Sequence, residues 1–153
     1  MSVESKLSQL GFKVPETAKP IAAYVPAVKI APFVFTSGQI PIVEGNLKFK
    51  GKVGKDLTLE EGYEAAKVCA LNALSAVRNE IGSLDRIERI VKRVGYVNSA
   101  DGFNKQPLVI NGASELLQNL FGETGKHARV AIGVSELPND AAVEVEMIGK
   151  IRE

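Results

Sequence analysis

The stretch from Ala128 to Ile151 constrains the fold more than any other part of the chain. It contains two apolar runs, Val130–Val134 and Val143–Ile148, joined by a Leu-Pro-Asn-Asp sequence that is typical of a turn. In the second run, apolar residues alternate with two glutamates, so the apolar side chains would share one face of a strand. The pattern therefore predicts a pair of strands.

Two charged residues stand out in this stretch. Arg129 lies at the entry of the first predicted strand, and Glu144 lies near the start of the second. A guanidinium can bind a carboxylate through two parallel hydrogen bonds, and a nearby carboxylate can orient or deprotonate a water molecule. The residues alone leave a second interpretation open, in which Arg129 is a strand-edge arginine paired with any acidic neighbour.

Length and composition indicate an ordinary globular protein. The 153 residues predict a single domain over 1–153, in which 1–20 form an N-terminal helix and a connector. The net charge of +1 and the lack of a Lys/Arg cluster predict neither a nucleic acid partner nor an anionic membrane partner. Because one cysteine cannot form an internal disulfide, and no apolar run reaches membrane-spanning length, we expect a cytoplasmic protein.

The clearest predicted helix begins after Thr58. Glu61 follows three residues later, as in a capping box, and Gly82 provides a stop after Ile81. Cys69 falls on the apolar stripe of this helix, so we interpret it as a small core residue and not as a nucleophile.

The remaining pattern alternates strands and helices. Predicted elements are a short helix at Ser2–Leu10, a connector at Val14–Pro20, strands at Tyr24–Ile30, Phe33–Ser37, Leu47–Lys50 and Ile87–Asn98, and a second long helix from Pro107 to about Leu120. This order predicts an α+β fold, a mixed sheet with two helices packed on one face. The other face is more apolar than a solvated face requires, which predicts self-association.

Four segments together resemble the Rid, or YjgF-like, family of reactive-intermediate deaminases. They are Tyr24 placed thirteen residues before Ser37, the FTSGQIP stretch at Phe35–Pro41, Asn111, and the block from Arg129 to Glu146. The resemblance covers about residues 21–151. It is closest to a longer subgroup that carries an N-terminal helix and the VINGAS segment at Val109–Ser114.

The resemblance implies a fold like that of the small trimeric chorismate mutases and a homotrimer with three clefts between subunits. It further implies hydrolysis of 2-imino or 2-enamino acids to 2-oxo acids and ammonia, so that the partner is a small carboxylate metabolite. No cofactor and no metal are implied.

The resemblance also implies a role for individual residues. Arg129 would bind the substrate carboxylate, and Glu144 would position the attacking water. The implied substrate-binding residues are Tyr24, which would close the pocket, Ser37, Gly38, which would offer its backbone, Asn111 at the edge, and Ala131.

The chain departs from the family pattern around the predicted cleft. His127 stands where a small residue or proline is usual, Ala131 where active members often have cysteine, and Gly133 where a charged residue is common. The link from Asn111 to Arg129 is one residue longer than is typical. These departures leave the shape of the pocket and the substrate range open.

Several of these residues also have purely structural interpretations. Tyr24 would serve equally as an interface aromatic, and Asn111 as a partner of the adjoining loop. The segment Ser37–Gln39 would be a tight turn, which suits it better than a nucleophilic serine because His127 is the only candidate base. His127 itself is predicted at the surface, and Glu146 as a solvated neighbour of Glu144.

The sequence thus supports three functions. The first is an imine or enamine deaminase. The second is a non-catalytic trimer that binds a small carboxylate through the same arginine. The third is an endoribonuclease or translation inhibitor, an activity also associated with the family. The near-neutral net charge and the absence of an aromatic-basic pattern in the sequence argue against this third function.

Overall fold

The computed structural model describes residues 1–17 and 22–153, in which a five-stranded mixed sheet is covered on one face by two long helices. The elements are α1 (Val3–Gln9), β1 (Ala27–Ile30), β2 (Phe33–Thr36), β3 (Ile42–Val43), β4 (Asn46–Leu47), α2 (Leu59–Ile81), β5 (Ile87–Asn98), α3 (Gln106–Phe121), β6 (Ala128–Val134) and β7 (Val143–Ile151). Short 3-10 turns lie at Leu84–Arg86, Gly122–Gly125 and Pro138–Asp140. The end of the predicted connector, Ala18–Pro20, lies outside the described residues.

The order of the large sheet is β1-β2-β7-β5-β6, and only β5 and β6 run parallel. The prediction that the two C-terminal runs pair with each other is therefore wrong, because β5 lies between them. The loop that joins β6 to β7 crosses the end of β5. There the side chain amide of Asn98 donates to Asp140 Oδ1 at 3.0 Å and to the carbonyl oxygen of Ala141 at 3.2 Å.

The helix α2 matches its prediction closely. Thr58 Oγ1 accepts from the amide of Glu61 and the carboxylate of Glu61 accepts from the amide of Thr58, which completes the capping box. Cys69 is fully buried on the stripe that faces the sheet, and its Sγ lies 3.5 Å from the carbonyl oxygen of Val143. This burial raises the pKa of the Cys69 thiol well above its usual range.

The helix α3 packs against α2 so closely that one position between them must be glycine. A Cβ added to Gly112 would collide with the carbonyl oxygen of Tyr63, so any larger residue would push the two helices apart. Pro107 occupies the second position of α3, where its missing amide hydrogen costs no hydrogen bond. The predicted arrangement of two helices on one face of a mixed sheet is confirmed.

Some predicted boundaries are wrong. The first strand begins at Ala27 and not at Tyr24, because Pro26 has no amide hydrogen to donate to the ladder. The predicted strand Leu47–Lys50 ends at Leu47, and Lys50 forms only an isolated bridge to Ala141.

The face of the sheet that α2 and α3 leave uncovered, here called the open face, is strongly apolar. Alternation along β7 is as predicted, with Val143, Val145 and Met147 buried under the helices and Glu144 on the open face. Six large apolar side chains of the open face are between 38% and 64% exposed: Val28, Ile30, Phe33, Phe35, Val130 and Ile132. Exposed apolar side chains on one face of a sheet are characteristic of surfaces that associate.

Within the described part of the chain, no helix is both long enough and apolar enough to span a membrane.

Candidate functional site

Arg129 lies on β6, the edge strand of the sheet, and its side chain extends along the face that carries α3. Its Nη1 donates to Asn111 Oδ1 at 2.8 Å and to Ser114 Oγ at 3.3 Å, so one amino group of the guanidinium is held by two residues of α3. Asn111 and Ser114 are three residues apart, which places both on the same side of the helix. The predicted pairing of Arg129 with an acidic neighbour is absent among residues 1–17 and 22–153.

His127 joins this group instead of pointing into solvent. Its Nε2 lies 3.0 Å from Ser114 Oγ and its Nδ1 lies 2.7 Å from the carbonyl oxygen of Gly125. The ring is partly buried, and burial is the main reason that the pKa of His127 is lowered from 6.5, with the charges of Arg93 and Arg129 contributing. His127 is therefore a half-buried residue at a surface depression, and its two ring nitrogens are both held by hydrogen bonds.

A shallow depression of about 200 Å³ lies beside Arg129. It is lined by Ser114, Gln118, Gly125, Lys126, His127 and Arg129. Every lining side chain is polar, so the depression suits a polar or anionic ligand and not an apolar one. Lys126 contributes less charge than its position suggests, because its ammonium pairs with Glu123 at 2.8 Å.

Another predicted residue, Gly38, lies against Glu144 on the open face. A Cβ added to Gly38 would lie 2.8 Å from Cδ of Glu144, so the lack of a side chain at Gly38 allows the carboxylate to rest against the backbone. Ser37 Oγ donates to the carbonyl oxygen of Val25 at 2.6 Å, next to Tyr24, whose side chain is 55% exposed. Ser37 thus holds a turn and has no histidine beside it.

The carboxylate of Glu144 is partly buried. This burial raises its pKa from 4.5, and the like charge of Glu146 raises it further. A raised pKa makes the carboxylate a stronger base, which favours its acceptance of a proton. Glu146 therefore affects the site through its charge, although it was expected to be only a solvated neighbour.

The two groups lie on opposite faces of the sheet. Arg129 is the register partner of Arg93 on β5, whereas Glu144 is the partner of Tyr96, three residues further along the same strand. Residues separated by three along a strand project to opposite sides. The structure thus brings Arg129 together with Asn111, and Glu144 together with Gly38, but it does not bring these two groups together within one chain.

Ala131 and Gly133 follow Arg129 along the helix-covered face of β6. Ala131 is the register partner of Gly95 and packs against the core. A Cβ at Gly133 would lie 2.6 Å from Nε2 of Gln106, so the side chain of Gln106 occupies the place where a larger residue would extend. Ala131 therefore lies beyond Arg129 on the same face, away from Glu144.

Arg93 is an unexpected charge in the core. Its side chain is fully buried, and its Nη2 lies 3.2 Å from Sδ of Met147. Nε and Nη1 find no hydrogen-bond partner in the described residues. Burial lowers the pKa of Arg93 to about 9, so the guanidinium still carries its charge at neutral pH. The alternation of residues along β5 could have indicated this burial, because Arg93 lies on the same face of the strand as the buried Val97.

Metal binding has no candidate site in the described ranges 1–17 and 22–153. No three side chains among histidine, cysteine, aspartate and glutamate there lie close enough together to hold an ion.

Comparison with known proteins identifies relatives over almost the whole chain. Residues 4–150 match the family described as "YjgF/chorismate_mutase-like, putative endoribonuclease". Protein TCP17 of Trypanosoma cruzi is 42% identical over 147 residues, which cover 95% of this chain and 92% of TCP17.

Two solved structures are similar in both sequence and fold. Protein Atu1372 from Agrobacterium tumefaciens, of unknown function, is 39% identical with a TM-score of 0.92, and the match covers 98% of this chain and 92% of that one. A protein from Shewanella oneidensis MR-1, described as a "putative endoribonuclease", is 32% identical with a TM-score of 0.95, covering 99% and 100%.

Proposed function

The chain belongs to the YjgF/chorismate mutase-like family, as the resemblance predicted, and from this membership we propose that it hydrolyses 2-imino or 2-enamino acids. The products are 2-oxo acids and ammonia. The reaction takes place at clefts between the subunits of a homotrimer, and it uses side chains of the protein without a cofactor.

The observation that carries this proposal is the set of hydrogen bonds that Arg129 makes. No carboxylate of the described residues pairs with it, and the two hydrogen bonds that it makes go to the neutral side chains of Asn111 and Ser114 through Nη1 alone. Nε and Nη2 are left for a ligand. Such a fork matches the two oxygens of a carboxylate, the group that every 2-imino acid carries.

Binding the carboxylate at Arg129 fixes the neighbouring imine carbon for attack. Water adds to this carbon as Glu144 accepts one of its protons, and the electron pair of the C=N bond moves to nitrogen, which takes that proton back from Glu144. Glu144 then transfers the hydroxyl proton of the resulting carbinolamine to the amino nitrogen, the C–N bond breaks, ammonia leaves and the carbonyl group forms. The raised pKa of Glu144 supports its role as proton acceptor.

Two features support the location of the site between subunits. Arg129 and Glu144 occupy opposite faces of one sheet, so one chain cannot present both to the same small substrate. The open face around Glu144 also carries the exposed apolar residues that association would bury. In a cyclic trimer, each cleft would combine Arg129 of one subunit with Glu144 of its neighbour.

Two alternative functions would use other features of the same protein. A non-catalytic carboxylate-binding trimer would need Arg129 but not Glu144. Ala131 fits that function, because it stands where active members of the family often have cysteine. An endoribonuclease is suggested by the description of the relative from Shewanella oneidensis. The net charge of +1 provides little attraction for RNA.

The test is turnover of a 2-imino acid generated in situ by an amino acid oxidase, with release of the 2-oxo acid as the readout. We expect activity in the wild type and its loss in Arg129→Ala. Arg129→Lys should fail nearly as badly, because an ammonium cannot reproduce the fork. Losing a charge-assisted hydrogen bond of this kind weakens binding by roughly ten- to a hundredfold. Arg152→Lys, at an exposed position after the end of β7, is the matched control.

Glu144→Gln separates the deaminase from the binder. This variant keeps the size of the side chain but cannot accept a proton, so calorimetric binding of pyruvate should persist while turnover falls. Binding of pyruvate without any turnover in the wild type would favour the carboxylate binder. Cleavage of single-stranded RNA by the wild type, abolished in neither variant, would favour the endoribonuclease.

A further inference from the structure

The hydrogen bonds around Arg129 have only one consistent direction. Arginine has donors and no acceptor, so Ser114 Oγ must accept from Nη1. The carbonyl oxygen of Gly125 can only accept, so Nδ1 of His127 carries the hydrogen. In neutral histidine Nε2 is then an acceptor, and the hydroxyl hydrogen of Ser114 points to it over 3.0 Å.

The surroundings of His127 favour the neutral form of its ring. The positively charged groups near it are Arg93 of β5 and Arg129 of β6, and the neighbouring Lys126 is neutralised by Glu123. Burial and these charges both oppose protonation of the ring. Ser114 on α3 contributes a hydroxyl and no charge. The chain of donors, here the hydrogen bonds from Arg129 to Ser114, from Ser114 to His127 and from His127 to Gly125, therefore keeps its direction.

The chain of donors also determines which edge of the guanidinium is available. Nη1 has two hydrogens, one directed to Asn111 and the other to Ser114. With both in use, the remaining pair of parallel donors is Nε and Nη2. The orientation of the guanidinium plane is therefore fixed before a ligand arrives, which reduces the entropy lost on binding.

We infer that His127 and Ser114 are positioning residues: Gly125 orients His127, His127 orients the hydroxyl of Ser114, and Ser114 presents Nε and Nη2 of Arg129 to a carboxylate. This inference rests on the proposed function for the identity of the ligand. The hydrogen bonds themselves lie within the chain and do not depend on the identity of the ligand. His127 stands where the family usually has a small residue or proline, and in this chain it thus takes part in the site.

The tautomer of His127 tests these hydrogen bonds without any ligand. Because His127 is the only histidine, its two ring nitrogens give a single pair of nitrogen-15 NMR signals. At a pH above the titration of the ring, we expect the hydrogen on Nδ1. We expect it to stay there in Ser114→Ala, because the carbonyl oxygen of Gly125 still accepts from Nδ1. A wild-type ring with its hydrogen on Nε2 would overturn the inference, whatever the protein does.

Binding and turnover test the consequence for Arg129. Ser114→Ala and His127→Ala should weaken binding of pyruvate by roughly two- to tenfold, the effect of one neutral hydrogen bond, and raise KM with little change in kcat. His127→Gln should recover most of the affinity, because its amide oxygen can accept from Ser114. Asn119→Ala, which alters an exposed residue of α3 outside the depression, is the matched control.

The outcomes separate the two claims. Unchanged affinity in Ser114→Ala, or no recovery in His127→Gln, would overturn the positioning role while the deaminase stands. If the wild type neither binds pyruvate nor turns over an imine, the proposed function fails, and the tautomer measurement still decides whether the hydrogen-bond chain exists.

Discussion

Arg129 and Glu144 lie on opposite faces of one sheet. Their register partners on β5, Arg93 and Tyr96, are three residues apart and project to opposite sides, and Arg129 contacts α3 while Glu144 rests against Gly38. The two residues that the sequence suggested as a catalytic pair therefore cannot meet around one small molecule unless they come from different subunits.

Mixed oligomers test this relationship directly. We expect Arg129→Ala and Glu144→Gln to be inactive separately, and to regain activity when they are unfolded together and refolded at equal concentration. Half of the chains supply an intact arginine and half an intact glutamate, so about a quarter of the clefts would contain both. Wild-type protein treated in the same way is the control. If the refolded mixture gains no activity, the site does not lie between subunits.

The charge of Glu146 should set the pH dependence of catalysis. Glu146 raises the pKa of Glu144, so Glu146→Gln should lower it. A base must be deprotonated to act, and the acid limb of the kcat/KM profile should therefore move to lower pH. Glu60→Gln, at the start of α2, provides a control for the loss of one carboxylate. An acid limb that stays in place would separate Glu144 from the proton transfer.

Arg93 should destabilise the core. Replacing a buried charge with an apolar residue of similar size is often neutral or stabilising by about 1–4 kcal/mol, so Arg93→Met should raise the free energy of unfolding in urea. The folded pKa of about 9 lies well below that of an exposed arginine in the unfolded chain, so wild-type stability should rise above pH 9 and the advantage of the variant should shrink. Marked destabilisation by Arg93→Met would instead reveal a partner for the guanidinium.

Cys69 should be unreactive in the folded protein. Its side chain is fully buried and its thiol pKa is raised, so a thiol reagent should label it only as fast as the protein unfolds. Adding urea near the midpoint of unfolding should accelerate labelling in parallel with the unfolded fraction. Rapid labelling of the native protein with loss of activity would show that the core assignment is wrong.

Local patterns in the sequence were sufficient for the long elements. The capping box of Thr58 and Glu61 and the stop at Gly82 delimit α2, and the predicted strand Ile87–Asn98 has the same ends as β5. Alternation predicted which residues of β7 are buried. These features depend on hydrogen bonds and side chain periodicity within a few residues, which is why the sequence alone revealed them. The resemblance to a family also singled out Arg129 and Asn111, which the structure places in contact.

Only the tertiary structure decided how the elements combine. The order that places β5 between β6 and β7 depends on pairing between segments far apart in the chain, as does the separation of Arg129 from Glu144 onto two faces. The sequence gives no local signal for the contact of Ser114 with His127, or for an arginine buried without a full set of partners. Strand register and helix packing determine these contacts, because they place side chains that no local rule relates.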